Sequence, residues 1–170
     1  MKIHRQRTHL GILLLLLLVG SPAAAETLSG RVVGITDGDT LTLLTVGRVQ
    51  VKVRLAEIDT PEARQPYGQR AKQALAALAF GREVDVTVIN QDRYGRQVGR
   101  VHVGGVDVNA ELVRLGAAWV YRRYSRDRDL LVLEEEARGA RRGLWGLPEA
   151  DRQPPWEWRA SRRGGKSREP

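Results

Sequence analysis

Strict alternation of apolar and polar residues over residues 49–55 constrains the fold more than any other feature of this chain. Two sets of side chains alternate there: Val49, Val51, Val53 and Leu55 against Gln50, Lys52 and Arg54. Successive side chains of a β-strand point to opposite faces, so the pattern predicts a strand with one buried face. It also places Arg54 on the face opposite the valines.

The rest of the chain predicts a small mixed domain. Four more strands are predicted from β-branched runs between turn residues, over residues 28–37, 41–46, 84–90 and 98–103. Helical periodicity predicts helices over residues 67–80 and 108–115, and a third that begins after the capping residue Asp127. The order is three strands, a helix, two strands and two helices. It favours an α+β fold, for which a five-stranded oligonucleotide-binding barrel with three helices is a candidate.

The first 25 residues have the three-part layout of a secretory signal peptide. A basic start is followed by the apolar run LGILLLLLLVG and by an A-x-A site at Ala23–Ala25. We expect cleavage near Glu26 and a secreted or periplasmic protein without stable membrane association; an uncleaved anchor is the alternative. The remaining residues divide into a domain at 26–148 and a Pro/Gly/Arg-rich tail at 149–170. The domain is long enough for a core of its own.

The amino-acid composition limits the kinds of chemistry and of partners that this chain can have. The chain has no cysteine, which excludes disulfides, thiol catalysis and thiolate metal sites. Its net charge is +8, of which three positive charges belong to the predicted signal peptide. A basic exported domain favours acidic partners such as nucleic acid, anionic lipid or polysaccharide, although solubility alone also accounts for the charge.

Acidic residues collect at two predicted strand ends. Asp37 and Asp39 lie in the turn DGDT, and Asp59 and Glu62 follow the strand that carries Arg54. If these strands are neighbours, the carboxylates meet at one rim and need a cation, for which an all-oxygen cluster suits Ca²⁺ or Mg²⁺. Arg54, and Arg96 in the turn DRYGR, could bind a phosphate. Each residue alone could equally be structural.

Several strings occur together in an order that resembles the staphylococcal nuclease (thermonuclease) family. They are DGDT, VRLAEIDTPE, QPYGQRAKQAL, DRYGR, VNAELVRLGAAWV and RRGLW, with PPWEWR as a looser likeness near the end. The resemblance runs from about residue 28 to 147. It implies an oligonucleotide-binding barrel with three helices and a Ca²⁺-dependent endonuclease that hydrolyses DNA and RNA with little sequence preference.

The resemblance also implies a role for each matching residue. The Ca²⁺ ligands would be the carboxylates of Asp39 and Asp59 and the backbone carbonyl of Thr60. The catalytic residues would be Arg54 and Arg96 on the phosphate and Glu62 as the general base. Nucleotide-binding residues would be Tyr94, Trp119 and Tyr121.

Five features depart from the family pattern or lie outside it. Glu57 is charged where a small or apolar residue is expected, and it could pair with Lys52 or perturb the site. Trp119 replaces a tyrosine, and the segment between Glu62 and Tyr67 is short. Trp145 is expected in the core. The basic run over residues 159–168 could bind a nucleic-acid backbone, but a solvated tail is favoured.

Two other functions remain open from the sequence. A non-catalytic module could bind single-stranded nucleic acid on the same barrel by stacking and charge alone. That module would be expected to lack Asp39, Arg54, Glu62 or Arg96, and all four are present. A membrane-anchored enzyme that keeps its apolar start is the third possibility. The enzyme is expected to be monomeric.

Overall fold

The computed structural model describes residues 26–165 and contains eight strands and four helices over that range. In chain order the strands are β1 (Thr27–Ile35), β2 (Thr40–Thr45), β3 (Gln50–Leu55), β4 (Ile58–Asp59), β5 (Glu83–Gln91), β6 (Gln97–Val103), β7 (Val106–Asp107) and β8 (Trp119–Val120). The helices are α1 (Gly68–Ala79), α2 (Val108–Arg114), α3 (Arg128–Gly139) and α4 (Pro155–Gly165). Two 3₁₀ turns, Gly143–Gly146 and Glu149–Asp151, connect α3 to α4.

The five long strands close into a barrel. Their order is β3-β2-β1-β5-β6, all antiparallel, and a parallel pairing of β3 with β6 completes the circle. The predicted α+β barrel and its five strands are therefore confirmed. The two-residue strands β4, β7 and β8 were not predicted, because two residues are too short to show a period. No strand was predicted over Trp119 and Val120.

Alternation decides which side chains enter the barrel. On β3, Val53 and Leu55 are buried, whereas Lys52 is exposed and Arg54 is only partly covered. The apolar side chains fill one core with those of α1 and α2 and with Leu130 of α3. A smaller cluster lies beside it, formed by Trp119, Ala137, Leu144 and Trp145. Trp145 is 3% exposed, as expected for a core residue.

The first three helices confirm the predicted ones, with ends within a few residues. Asp127 caps α3 as expected: its Oδ1 accepts hydrogen bonds from the backbone N–H of Asp129 at 2.8 Å and of Leu130 at 3.3 Å. Leu130 and Ala137 lie on the buried face of α3.

All three predicted helices are present, and a fourth helix, α4, lies in the segment assigned to the tail. Pro155 at the first helical position is compatible with a helix start, since it lacks only an N–H that would have no intrahelical partner. None of the helices within residues 26–165 is both long and apolar enough to cross a membrane. The predicted signal peptide, residues 1–25, lies outside the described residues.

Candidate active site

The turn DGDT brings Asp39 to the mouth of the barrel at the start of β2. The backbone N–H of Asp39 donates to Oδ1 of Asp37 at 3.1 Å, which tightens the turn. Gly38 lies against Thr60 and Ala71. A Cβ at this position would come 2.6 Å from Oγ1 of Thr60 and 2.8 Å from Cβ of Ala71. Only glycine therefore lets the turn approach Thr60 this closely.

Arg54 links the two aspartates of the predicted metal site. The antiparallel register of β2 and β3 pairs Arg54 with Thr40, next to Asp39. The guanidinium forms an ion pair with Asp39 through Nη1 and a second with Oδ1 of Asp59 through Nη2, at 2.9 Å. Nη2 also donates to the carbonyl of Ile58 at 3.4 Å. One arginine thus forms ion pairs with two nearly inaccessible carboxylates.

Asp59 and Thr60 are placed by the short strand β4. Asp59 pairs in register with Trp119 of β8, and its side chain is 1% exposed. The backbone N–H of Thr60 donates to Oδ2 of Asp39 at 3.1 Å. The hydroxyl of Thr40 donates to Oδ1 of Asp39 at 3.2 Å. The structure therefore brings together all three residues predicted to bind the metal.

Glu62 lies beside Asp59 and is more accessible, with 39% of its side chain exposed. Its backbone N–H donates to Oε1 of Gln65 at 3.1 Å, which holds the short connection before α1. Its carboxylate accepts from Arg159, a residue of α4, at 2.7 Å. Glu62 thus joins the predicted cluster through a side chain from the far end of the chain.

Arg159 is the site residue that sequence reasoning missed. Its Nη2 donates to Oδ2 of Asp59 at 2.6 Å, and its Nη1 lies 3.3 Å from Oδ1 of the same carboxylate. The solvated-tail interpretation is therefore wrong for Arg159, whose side chain is only 36% exposed. The available signal was its place in PPWEWR, where tryptophans beside an arginine indicate a segment that packs on the domain.

The charges of the cluster shift its pKa values in opposite directions. Burial together with the neighbouring charge of Asp39 raises the pKa of Asp37 to about 6. Burial raises the pKa of Asp59 as well, and the pairing with Arg159 and Arg54 offsets this only in part. Burial also disfavours the charge on Asp39, but the ion pair with Arg54 outweighs it and lowers that pKa. Burial therefore disfavours the charged forms of Asp37 and Asp59, despite the arginines near the site.

Arg96 and Tyr94 lie next to this cluster rather than inside it. In the turn after β5, Nε and Nη2 of Arg96 both lie 2.7 Å from Oδ2 of Asp92. Nη1 of Arg96 reaches the hydroxyl of Thr40 at 3.5 Å. Tyr94 is 68% exposed, and its ring centroid is 5.6 Å from the guanidinium carbon of Arg96. Both predicted residues thus line an open edge of the site.

The two other predicted substrate residues meet α4. Trp119 is 7% exposed and packs edge-on against Trp145, with ring centroids 4.3 Å apart. Tyr121 stacks on Trp156 of α4, with centroids 5.1 Å apart and planes 3° from parallel. Trp156 also meets the edge of Trp119 at 5.9 Å. A role of Trp119 and Tyr121 in nucleotide binding stays a prediction, and both rings have protein partners in this conformation.

The pairing of Glu57 with Lys52, considered from the sequence, is wrong. Oε2 of Glu57 accepts from Arg100 at 2.6 and 2.9 Å, and Oε1 accepts from the hydroxyl of Ser125 at 3.1 Å. Glu57 has a positive φ of 65°. The residue therefore belongs to a structural network behind the site.

The donor set fits a hard divalent cation in its chemistry. It offers the carboxylates of Asp39 and Asp59 and the carbonyl of Thr60, all oxygens. Among residues 26–165, no group of three or more acidic, histidine or cysteine side chains is gathered for a metal. A cation would therefore be held by two carboxylates, by backbone and by ligands from solution. Burial raises the pKa of Asp37 and of Asp59, so a negative charge on either carboxylate is disfavoured unless a cation lies near it.

The fold and the site define an α+β protein of the oligonucleotide-binding barrel class with acids and arginines at the barrel mouth. Residues 52–146 match the family model described as staphylococcal nuclease homologue, and the chain belongs to that family.

Curated relatives cover most of both chains. An "Uncharacterized endonuclease" of Escherichia coli O157:H7 is 44% identical over 86% of this chain and 94% of its own. "Protein ParB" of Escherichia coli is 48% identical over 86% of each chain. A "Micrococcal nuclease" of Shigella flexneri is 46% identical over 84% of this chain and 86% of its own.

Proposed function

We propose that this protein is a Ca²⁺-dependent endonuclease that hydrolyses phosphodiester bonds of DNA and RNA with little sequence preference. The observation that carries the proposal is the meeting of Arg54, Asp39, Asp59 and Glu62 at one mouth of the barrel. These residues come from separate elements, and barrel stability alone does not require them to converge. Membership of the family and the names of the curated relatives support a nuclease.

Asp39, Asp59 and the carbonyl of Thr60 are the residues that would hold the cation. When bound, Ca²⁺ supplies a positive charge that neutralises a phosphate oxygen and lowers the barrier to attack. The protein contributes rigidity, because backbone hydrogen bonds and Arg54 already orient both carboxylates. Little rearrangement of the backbone is then needed when the ion enters.

Arg54 and Arg96 act on the phosphate in this mechanism. A guanidinium presents two parallel N–H donors to two phosphate oxygens and stays charged at every relevant pH. Its donors therefore stabilise the negative charge that builds on those oxygens in the transition state. Glu62 accepts a proton from the attacking water, a role compatible with its partial exposure.

Broad substrate choice follows from what the site presents. Arg54 and Arg96 would contact phosphates, which are common to every sequence and to both DNA and RNA. The exposed ring of Tyr94 offers a stacking face, and stacking tolerates any base. The proposed substrate is therefore a flexible strand held by its backbone.

The test uses the chain from Glu26 with labelled single-stranded DNA and RNA, in Ca²⁺, in Mg²⁺ and in excess chelator. We expect cleavage with Ca²⁺, none with chelator, and a loss of about 10²–10³-fold in kcat for Arg54→Ala. Glu62→Gln is expected to lose about 10²–10⁴-fold. Arg114→Ala and Glu135→Gln are the matched controls, since Arg114 pairs only locally on α2 and Glu135 is 69% exposed on α3.

The result that would contradict the enzyme is tight binding of single strands without cleavage in any divalent ion. That outcome would support the non-catalytic binding module instead. Loss of cleavage in the two control variants as well would mean that the substitutions unfold the protein, whereas full cleavage by all four variants would mean that the activity comes from a contaminant. Circular dichroism of every variant separates these two cases.

Export is part of the proposal and rests on residues 1–25, which have the layout of a signal peptide. Its test is the N-terminal sequence of the protein recovered from the periplasm or the medium. A mature start near Glu26 is expected. An intact apolar start in the membrane fraction would contradict cleavage.

A further inference from the structure

Helix α4 delivers a positive charge into the candidate active site from the far end of the chain. Nη1 of Arg159 lies 2.7 Å from Oε1 of Glu62, and Nη2 lies 2.6 Å from Oδ2 of Asp59. Arg159 lies 97 positions after Glu62 and 100 positions after Asp59 in the sequence. One guanidinium therefore spans the predicted metal ligand and the predicted general base.

Contacts at the start of α4 hold the helix in this position. Trp156 stacks on Tyr121 and meets the edge of Trp119. Just before the helix, the carbonyl of Gln153 accepts a hydrogen bond from the side chain of Gln65. Trp156 and Arg159 are three residues apart, so both lie on the same side of the helix. The aromatic contact anchors α4, and Arg159 reaches the carboxylates from one turn further on.

Every oxygen of the two aspartates already has a donor. Asp39 receives Arg54 and the hydroxyl of Thr40 on Oδ1 and the backbone of Thr60 on Oδ2. Oδ1 of Asp59 accepts a hydrogen bond from Arg54, and Oδ2 accepts one from Arg159. A cation bound to Asp59 must take one of these oxygens, and a guanidinium nitrogen at 2.6 Å fills the same space. Arg54 stands on a barrel strand, so Arg159 is the partner that can leave with least disturbance.

We propose that Arg159 is a further residue of the site: an internal cation that holds Asp59 and Glu62 in the metal-free protein and is displaced when a divalent cation binds. The proposal rests on the function proposed above. It explains how the carboxylates of Asp59 and Glu62 lie close together at the barrel mouth in the absence of metal. It also gives α4 a function that a solvated basic tail would not have.

Displacement would change Glu62 as well. In this conformation Oε1 of Glu62 accepts a hydrogen bond from Nη1 of Arg159 at 2.7 Å. Release of Arg159 from Asp59 would loosen its hold on Glu62, because the same side chain makes both contacts. Entry of the cation would therefore expose the general base at the moment when the site becomes able to bind a phosphate.

Competition between Arg159 and the divalent cation for Asp59 has a consequence that can be measured without any substrate. If binding of the cation expels Arg159, removing the charge of Arg159 must tighten cation binding, because the coupling between two ligands of one site is reciprocal. We expect the Kd for Ca²⁺ to fall on the order of tenfold in Arg159→Gln. An arginine that merely stabilised the fold would not tighten the binding of metal when removed.

The experiment is calorimetric titration of Ca²⁺ into the chain from Glu26, comparing the unaltered protein with Arg159→Gln. Arg162→Gln is the matched control, because it removes the same charge from an exposed position of the same helix. We expect the control to change Kd by about twofold or less, since exposed charges are screened by salt. Equal or weaker binding by Arg159→Gln would overturn the proposal.

A second measurement covers the case in which Arg159→Gln fails to fold. Crystal structures of the unaltered protein with and without Ca²⁺ should show Nη2 of Arg159 leaving Oδ2 of Asp59 when the ion is bound. An intact Arg159–Asp59 pair beside a bound ion would overturn the proposal. Cleavage of nucleic acid is measured in a separate assay. If the protein cleaves but the Kd for Ca²⁺ does not change in Arg159→Gln, only this inference is overturned and the proposed function stands. Absence of any Ca²⁺ binding in both proteins would overturn the metal dependence as well.

Discussion

Glu57 accepts two hydrogen bonds from Arg100, from its Nε at 2.9 Å and its Nη2 at 2.6 Å. The same guanidinium also pairs with Asp107 at 2.7 Å and with Asp127. Glu57 lies between β3 and β4, Asp107 is the N-cap of α2, and Asp127 is the N-cap of α3. Arg100 on β6 therefore joins the barrel to two helices, directly behind the strand that carries Asp59.

Removal of this guanidinium should destabilise the fold. Arg100→Ala leaves three acidic side chains, each 20–27% exposed, facing one another without a cation. We expect the free energy of unfolding in urea to fall by about 2–3 kcal/mol, the scale of hydrogen bonds to charged groups. Arg114→Ala, at an exposed pair on α2, should cost less than about 1 kcal/mol. Equal losses of unfolding free energy in the two variants would show that the network around Arg100 contributes no more to stability than an exposed ion pair.

Asp127 makes part of this stability dependent on pH. Burial disfavours its charge, but hydrogen bonds from Arg100 and from the backbone of Leu130 and Asp129 outweigh this effect and lower its pKa below the usual range of an aspartate. A carboxyl with a lowered pKa contributes stability above its unfolded pKa, and the contribution is lost as the pH falls through the folded value. Asp127→Asn should therefore be less stable than the unaltered protein at neutral pH, with a difference that shrinks below about pH 4.

Urea unfolding at several pH values measures this difference. Glu135→Gln serves as the control, because Glu135 is 69% exposed and has only a distant contact with Arg138, at 4.0 Å. A difference between Asp127→Asn and the unaltered protein that stays constant down to about pH 2 would contradict the assignment.

Local patterns were enough to predict the parts of the site that lie close in sequence. The alternation of apolar and polar residues predicted the strand that carries Arg54 and placed its side chain on the face opposite the buried valines. Turn chemistry placed Asp39 and Asp59 at strand ends, and the barrel then brought them together through the pairing of Thr40 with Arg54. These inferences succeed because β2 and β3 are neighbours both in the barrel and along the chain.

Contacts between distant segments could not be predicted in the same way. Arg159 meets Asp59 across 100 positions, and no period or spacing records which exposed arginine of a basic run will turn inward. The partner of Glu57 was missed for the same reason, since Arg100 is 43 residues away. In both cases tertiary packing decides the outcome, with Trp156 anchoring α4 and the N-caps of two helices gathering around Arg100.

Trp156 should be needed for α4 to dock. Trp156→Ala removes the stack on Tyr121 and the edge contact with Trp119, at a cost of about 2 kcal/mol for a partly buried aromatic residue. Limited trypsin digestion should then cleave after Arg159 and Arg162 faster than in the unaltered protein. Trp158→Ala, on the same helix, is the control and should change cleavage little. Equal protection of Trp156→Ala and the unaltered protein would show that other contacts hold α4.

Gly38 offers a test of how closely the turn DGDT must approach its neighbours. In Gly38→Ala the new methyl group would lie 2.6 Å from Oγ1 of Thr60, so the turn must shift and carry Asp39 with it. We expect a loss of about 1–3 kcal/mol in unfolding free energy, the usual range for overpacking, together with weaker binding of Ca²⁺ and slower cleavage.

Gly139→Ala is the matched control for this change. Its Cβ meets nothing within 4 Å at the end of α3, so alanine there should leave activity unchanged and raise stability by up to about 1 kcal/mol through helix propensity. Measurement of urea unfolding, Ca²⁺ titration and cleavage on both variants separates the site from the scaffold. Full Ca²⁺ affinity in Gly38→Ala would mean that Asp39 does not hold the ion from the position that this turn gives it.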